Sequence, residues 1–228
     1  MIGIIGAMDD EVTILKTKID NLKESQYHSV KFYEGMICGK EVVLMQSGIG
    51  KVNAAMSTTI LFEQYEIDFV INIGTAGGVK ENCNVLDIVI SDKVCYHDVD
   101  VTAFKYEYGQ VPKCPLYFES DEKLIKLSEK ILTEEKMSYH KGLIVSGDSF
   151  VHEKTQIEKV KNHFSNVIAL EMEAAAIAQV CYLYQKQFIV LRSLSDIAGK
   201  ESHVSFSSYL EQSALNSSTY VLKLIEQL

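Results

Sequence analysis

The chain has 228 residues, 47% of them hydrophobic, and a formal charge of −9, with a pI of about 5.2 and a mean hydropathy of +0.04. These values fit one folded domain over residues 1–228 with a substantial core. They exclude a disordered chain, a general nucleic-acid binder, which would present a basic face, and a membrane helix of about 18 uninterrupted apolar residues.

The first apolar run, "MIGIIGAM", has no cationic flank and reads as a strand rather than a signal peptide. It ends in Asp9-Asp10-Glu11, where a helix is expected over residues 10–21. "VKFYEGMICGKEVVLMQ" reads as an antiparallel hairpin turning near Gly39-Lys40, and its second strand runs into "SGIGK" and a helix over 52–65. "DFVINIG" runs into "TAGG", "GLIVSG" into "DSF", "NVIAL" into "EME", and "FIVLRSLS" ends at Asp196. Further helices are expected over 121–137, 154–163, 173–184 and 207–226, the last with a stripe of Tyr209, Leu210, Ala214, Tyr220, Val221, Leu224 and Ile225. Near-continuous apolar runs alternating with helices indicate an α/β protein with a mainly parallel sheet covered on both faces.

In such folds ligands bind outside the carboxyl ends of the strands. Three acids, Glu11, Glu173 and Asp196, each follow an apolar run at that edge, and Arg192, the sole arginine, stands close to Asp196. One such acid is ordinarily a helix cap or a surface residue. Three at one edge point to a site, and glycosidic cleavage needs an acid for the leaving group and a base for water.

Other motifs fail. Before Gly50-Lys51 a phosphate loop would need glycine where Met45 stands, and Val52 replaces its Ser/Thr. "GDSFV" ends in Val151 where a nucleophile elbow needs glycine. "HDVD" has no recognisable metal-binding partner motif. Cys38, Cys83, Cys95, Cys114 and Cys181 are odd in number and scattered, which fits reduced thiols in a cytoplasmic protein rather than a disulfide frame or zinc site.

"IGIIGAMDDEV", "SGIGKVNAA", "NIGTAGG", "YHDVDVTAFKYEYGQVP", "GLIVSGDSF", "ALEMEAAAIAQV" and "SLSDIA" closely resemble, in order, the 5′-methylthioadenosine/S-adenosylhomocysteine nucleosidases. The resemblance runs from Ile2 to the C-terminal helix. It implies the purine nucleoside phosphorylase-like fold, a three-layer α/β/α sandwich around a twisted mixed sheet, and a homodimer. It also implies hydrolysis of methylthioadenosine, S-adenosylhomocysteine and 5′-deoxyadenosine to adenine and the 5-substituted ribose, with no metal or organic cofactor.

By the same resemblance, Asp196 is the acid at adenine N7, oriented by Ser195, and Glu11 is the base that activates water positioned by Arg192 and Thr75. Many relatives carry serine where this chain has Thr75, which keeps the hydroxyl and adds a methyl. Glu173 accepts from the ribose hydroxyls and Met172 packs on the sugar; Phe150 stacks on adenine and the Val151 backbone reads its edge. Met8, Ile49 and Phe206 wall the 5′-alkylthio pocket, completed by Val101, Phe104 and Pro112 of the neighbouring subunit. For each apolar member the ordinary alternative is core packing. Glu171 is left as an acid at the helix start or one supporting the site from behind.

The rival readings are a purine nucleoside phosphorylase, an aminodeoxyfutalosine nucleosidase and a non-catalytic nucleoside-binding protein. A phosphorylase commonly recruits several cationic donors for phosphate, and a single arginine per chain argues for hydrolysis.

Overall fold

The computed structural model describes residues 1–198 and 202–228, with the backbone alone for 202–205. In chain order, β1 (Ile2–Gly6) leads to α1 (Asp9–Lys16), followed by β2 (Asp20–Tyr27), β3 (Val30–Ile37) and β4 (Lys40–Gln46). Then come α2 (Lys51–Gln64), β5 (Phe69–Gly78), β6 (Ile88–Tyr96), a 3₁₀ turn (Thr102–Phe104), β7 (Phe118–Glu119) and α3 (Glu122–Glu134). The chain closes with β8 (Tyr139–Ser146), α4 (Lys154–His163), β9 (Val167–Glu171), α5 (Ala174–Leu183), β10 (Gln187–Ile197) and α6 (Ser202–Gln227).

The strand order is β10-β6-β8-β9-β5-β1-β4-β3-β2, and β10 also pairs with β5. Five strands therefore close into a ring, from which β1, β4, β3 and β2 extend. The sheet is mixed: β1–β4, β1–β5, β5–β10, β6–β8 and β8–β9 are parallel, whereas β2–β3, β3–β4, β5–β9, β6–β7 and β6–β10 are antiparallel.

Successive strand side chains point to opposite faces, and the core divides accordingly. Ile5, Val43, Met45 and Val70 pack with Ala54 and Leu61 of α2 and Ala174 to Ala178 of α5. Ile4, Val42, Leu44 and Ile71 pack on the other face with Val12 and Leu15 of α1, Leu124 and Ile131 of α3, and Tyr220 and Leu224 of α6. These are the three layers of an α/β/α sandwich. In α5 the run of small side chains lets the helix be buried at Ala174, Ala175, Ala176, Ile177 and Ala178 alike.

Several elements depart from the expectations. The first helix ends at Lys16 rather than residue 21, because the chain turns back at Ile19 into β2. β2 has no apolar alternation to reveal it: its sequence DNLKESQY is almost wholly exposed, as suits a charged edge strand. β6 is interrupted by polar Ser91-Asp92-Lys93, where its register against β8 shifts. Tyr209, expected on the buried stripe of the last helix, is 43% exposed.

β5 and β9 touch only near their ends, Gly77 opposite Leu170 and Gly78 opposite Ala169. That short antiparallel crossing brings the exits of two strands from opposite arms of the sheet to one place.

Candidate active site

A cavity of about 280 Å³ opens there, just below the usual ligand-pocket range. Its wall includes Met8 and Glu11 after β1, Ile49 after β4, Thr75 and Gly77 of β5, Phe150 after β8, Met172 and Glu173 after β9, Ser195 and Asp196 of β10, and Phe206 of α6. Eleven residues separated by up to 198 positions of sequence thus share one wall, the three acids expected at the strand ends among them.

Glu11 stands in the first turn of α1, where acids favour the positive end of the helix. It is 3% exposed. Its Oε2 accepts from the amides of Ala7 (2.7 Å) and Met8 (3.0 Å), and its Oε1 from the amide (3.0 Å) and hydroxyl (3.4 Å) of Thr75. The extra methyl of threonine therefore does not prevent the hydroxyl from reaching Glu11. Burial pushes the carboxyl above its ordinary range, while Arg192 and the amides of Met8, Ala7 and Thr75 pull it back.

Gly74 makes room for this arrangement. A Cβ there would lie 2.6 Å from both Arg192 Nη1 and Glu11 Oε1, and its φ is +150°. Only glycine satisfies both conditions.

Asp196 is 2% exposed and owes its position to a bulge: β10 shifts register against β5 between Leu194 and Asp196. The extra residue, Ser195, donates to Asp196 Oδ1 at 3.0 Å. Gly77 faces the Asp196 carboxylate, with a built Cβ 3.2 Å from Oδ2. Gly74 and Gly77 are three residues apart on one strand, so the two carboxyls flank roughly 10 Å of β5.

Glu173 receives the Gly50 amide at 2.9 Å from the start of α2. Burial, then the neighbouring charge of Glu171, raise its carboxyl to about 8, with Arg192 opposing. Phe150 is 41% exposed at the mouth, edge-on to Phe206 with ring centroids 5.7 Å apart. Val151 is absent from the main cavity. It lines a small adjoining recess with Phe150, Met172 and Asp196, and it also packs in the core with Ile157 and Val160.

Arg192 does not line the cavity. It is 1% exposed behind the wall, and its Nη2 donates to Glu171 Oε2 at 2.6 Å and to Asn72 Oδ1 at 2.9 Å. Its Nε and Nη1 have no protein acceptor among the described residues. Burial opposes its charge, yet Glu171, Glu11 and Glu173 together hold its pKa above the ordinary value.

Glu171, expected as a helix-start or supporting acid, is both, and it is the hub of this layer. It accepts from the Ser146 hydroxyl, from the amides of Glu173 (3.0 Å) and Ala174 (2.9 Å), and from Arg192. It caps the start of α5 and neutralises the buried guanidinium in one position. Asn72 and Ser146 lie in the stretches "NIGTAGG" and "GLIVSGDSF", yet nothing in the sequence marks them as its companions.

Val101, Phe104 and Pro112 lie away from the chain's own cavity, and Phe104 is 75% exposed. Among the described residues the cavity wall holds four carboxyl groups, Glu11, Glu171, Glu173 and Asp196, and neither lysine nor arginine.

The model of the phosphorylase superfamily matches residues 1–226. A Bacillus cereus protein described as 5′-methylthioadenosine/S-adenosylhomocysteine nucleosidase is 51% identical over 228 residues, covering 100% of this chain and 99% of the relative. A Neisseria meningitidis nucleosidase of the same description, solved in complex with methylthio-immucillin-A, superposes with a TM-score of 0.97 at 42% identity, covering 100% and 99% of the two chains. A Colwellia psychrerythraea nucleosidase in complex with adenine gives a TM-score of 0.96 at 44% identity, covering 100% and 95%.

Proposed function

Because the chain belongs to the phosphorylase superfamily and, within it, to the 5′-methylthioadenosine/S-adenosylhomocysteine nucleosidases, we propose that it hydrolyses the N-glycosidic bond of both nucleosides, releasing adenine. The observation that carries this reading is the cavity wall: buried carboxyls at both ends and no cationic side chain among the described residues. A phosphorolytic site must attract an anionic nucleophile, and this wall offers it carboxylates. Water carries no such penalty.

In the proposed step, protonated Asp196 delivers its proton to adenine N7, with the Ser195 hydroxyl holding the carboxyl in place at 3.0 Å. The bond between adenine N9 and the anomeric carbon breaks with its electron pair moving onto the base. Water forms the new bond to the oxocarbenium-like carbon, and Glu11 takes its proton. Thr75 Oγ1, whose own proton goes to Glu11, accepts from that water, and the buried Arg192 acts on Glu11 through its charge. About 10 Å of strand between the two carboxyls leaves room for a sugar and a water between them, as direct attack by water requires.

Glu173 and Met172 take the ribose, Phe150 and the Val151 backbone take adenine, and Met8, Ile49 and Phe206 take the 5′ substituent. The same pocket admits 5′-deoxyadenosine, which lacks only the thioether. A homodimer in which Val101, Phe104 and Pro112 complete the partner's pocket is supported by exposed apolar side chains at Phe104, Val52, Met56 and Leu183. The five free cysteines support a reducing, cytoplasmic setting, and no described helix is long and apolar enough to cross a membrane.

Glu11→Gln and Asp196→Asn test the assignment. Each removes one proton-transfer role, so each variant should keep the native circular dichroism spectrum and lose about 10²- to 10⁴-fold in kcat. Near-normal turnover in both would dismiss the mechanism.

A further inference from the structure

Lys51 sits where three segments around the cavity meet. Its backbone N–H donates to Asp148 Oδ1 at 2.8 Å. Its ammonium lies 2.7 Å from Asp98 Oδ2 and 3.7 Å from Asp148 Oδ2. Asp148 in turn donates its amide to Asp98 Oδ2 at 2.9 Å. One residue earlier, the Gly50 amide reaches Glu173 Oε1. Gly50 has φ +92°, and a Cβ there would lie 3.0 Å from Asp148 Oδ1, so backbone and carboxylate are in close approach.

The three segments serve different cavities. The loop before α2 carries Ile49, and the turn at 147–151 carries Phe150; both wall this chain's own cavity. The segment after β6 begins at Asp98 and carries Val101 and Phe104, which do not. That segment is braced at its base, where the Tyr108 hydroxyl donates to the His97 carbonyl (3.1 Å) and the Gly109 amide to the Val99 carbonyl (2.8 Å). Asp98 is where it is tied to the rest of the site. The side chains of Lys51 and Asp98 are 23% and 28% exposed, so water screens the pair only partly. Without the ammonium, two carboxylates that share one backbone contact would face each other.

We propose that Lys51 is a positioning residue that couples the two active sites of the homodimer. Through Asp148 it sets the Phe150 wall of its own site, and through Asp98 it sets the segment at 101–104 that its protomer lends to the other site. The inference rests on the homodimer reading above. A purely local role for Lys51 would confine its influence to its own protomer.

Hybrid dimers separate the two. Two differently tagged chains are co-expressed, one of them inactivated by Glu11→Gln, and the hybrid is isolated through both tags. Lys51→Met is then placed either in the active protomer or in the inactive one. The expected result is a rise in KM for methylthioadenosine of about tenfold in both arrangements, the scale of one lost charge-assisted contact, with kcat nearly unchanged. Lys51→Arg, which keeps the charge, restores most of the loss. Should Lys51→Met fail to fold, Asp98→Asn tests the same link, and a rise in KM from the inactive protomer is the expected result. Wild-type KM with the substitution in the inactive protomer overturns the coupling while leaving the dimer intact. Sedimentation of a fully active monomer overturns both the coupling and the homodimer reading, so the two failures are distinguishable.

Discussion

Gly74→Ala probes the packing around Glu11 and Arg192 most directly. The new Cβ would stand 2.6 Å from Glu11 Oε1 and from Arg192 Nη1, and 3.0 Å from Glu11 Cδ. Comfortable separations begin near 3.5 Å, so both charged groups must retreat by roughly 1 Å. Each is buried and held by several hydrogen bonds. Overpacking of this kind costs about 1–3 kcal/mol, and a non-glycine residue at φ +150° adds about 1–3 kcal/mol of backbone strain. A misplacement of about 1 Å in the base costs on the order of 10² in rate. Urea unfolding should therefore show a loss of about 2–6 kcal/mol, and kcat should fall on the order of 100-fold. Gly39→Ala is the control: its φ is +75° and nothing lies within 4 Å of a built Cβ. It carries backbone strain of about 1–2 kcal/mol without the collision, and should keep full turnover. A Gly74→Ala enzyme as active and as stable as the Gly39 control would refute the reasoning.

Glu173→Gln should change how stability depends on pH. The folded carboxyl titrates at about 8, against about 4.3 when unfolded. Between those values the folded state keeps a proton that the unfolded chain releases, so this stabilisation is complete below about 4.3 and is lost as pH rises toward 8. Glutamine removes the titration. Urea midpoints of ligand-free protein at pH 5 and pH 8 should show the variant gaining on wild type as pH rises, and a constant difference would reject the shift. Glu171→Gln leaves the Arg192 guanidinium buried beside a neutral amide and should cost about 3–5 kcal/mol, as loss of one partner of a buried pair does. The check is thermal or urea unfolding of that variant beside Glu171→Asp, and a loss below about 1 kcal/mol would show the pair to be dispensable.

The fold was legible wherever burial imposed a pattern. The strands ending in "GAM", "TAGG", "EME" and "SLSD" all appear, because strands covered on both faces must be apolar throughout. β2 was not, since an exposed edge strand needs no apolar alternation. The closure of β5, β9, β8, β6 and β10 into a ring was also hidden, as it depends on pairings such as Gly77 with Leu170 that no local pattern encodes. At the site the divide is similar. Glu11, Glu173 and Asp196 announce themselves as acids at the ends of apolar runs, whereas Glu171 looks redundant beside Glu173. Its role becomes visible only when Arg192, Asn72 and Ser146 from other strands are brought against it. The bulge at Ser195 is equally silent in sequence, yet it turns Asp196 into the cavity.

The central claim is hydrolysis rather than phosphorolysis, and one product analysis decides it. Purified protein is incubated with methylthioadenosine in phosphate-free buffer, and products are separated by chromatography. Hydrolysis predicts stoichiometric adenine and free 5-methylthioribose, at a rate that added phosphate does not raise. Turnover that requires phosphate and yields methylthioribose 1-phosphate would contradict it.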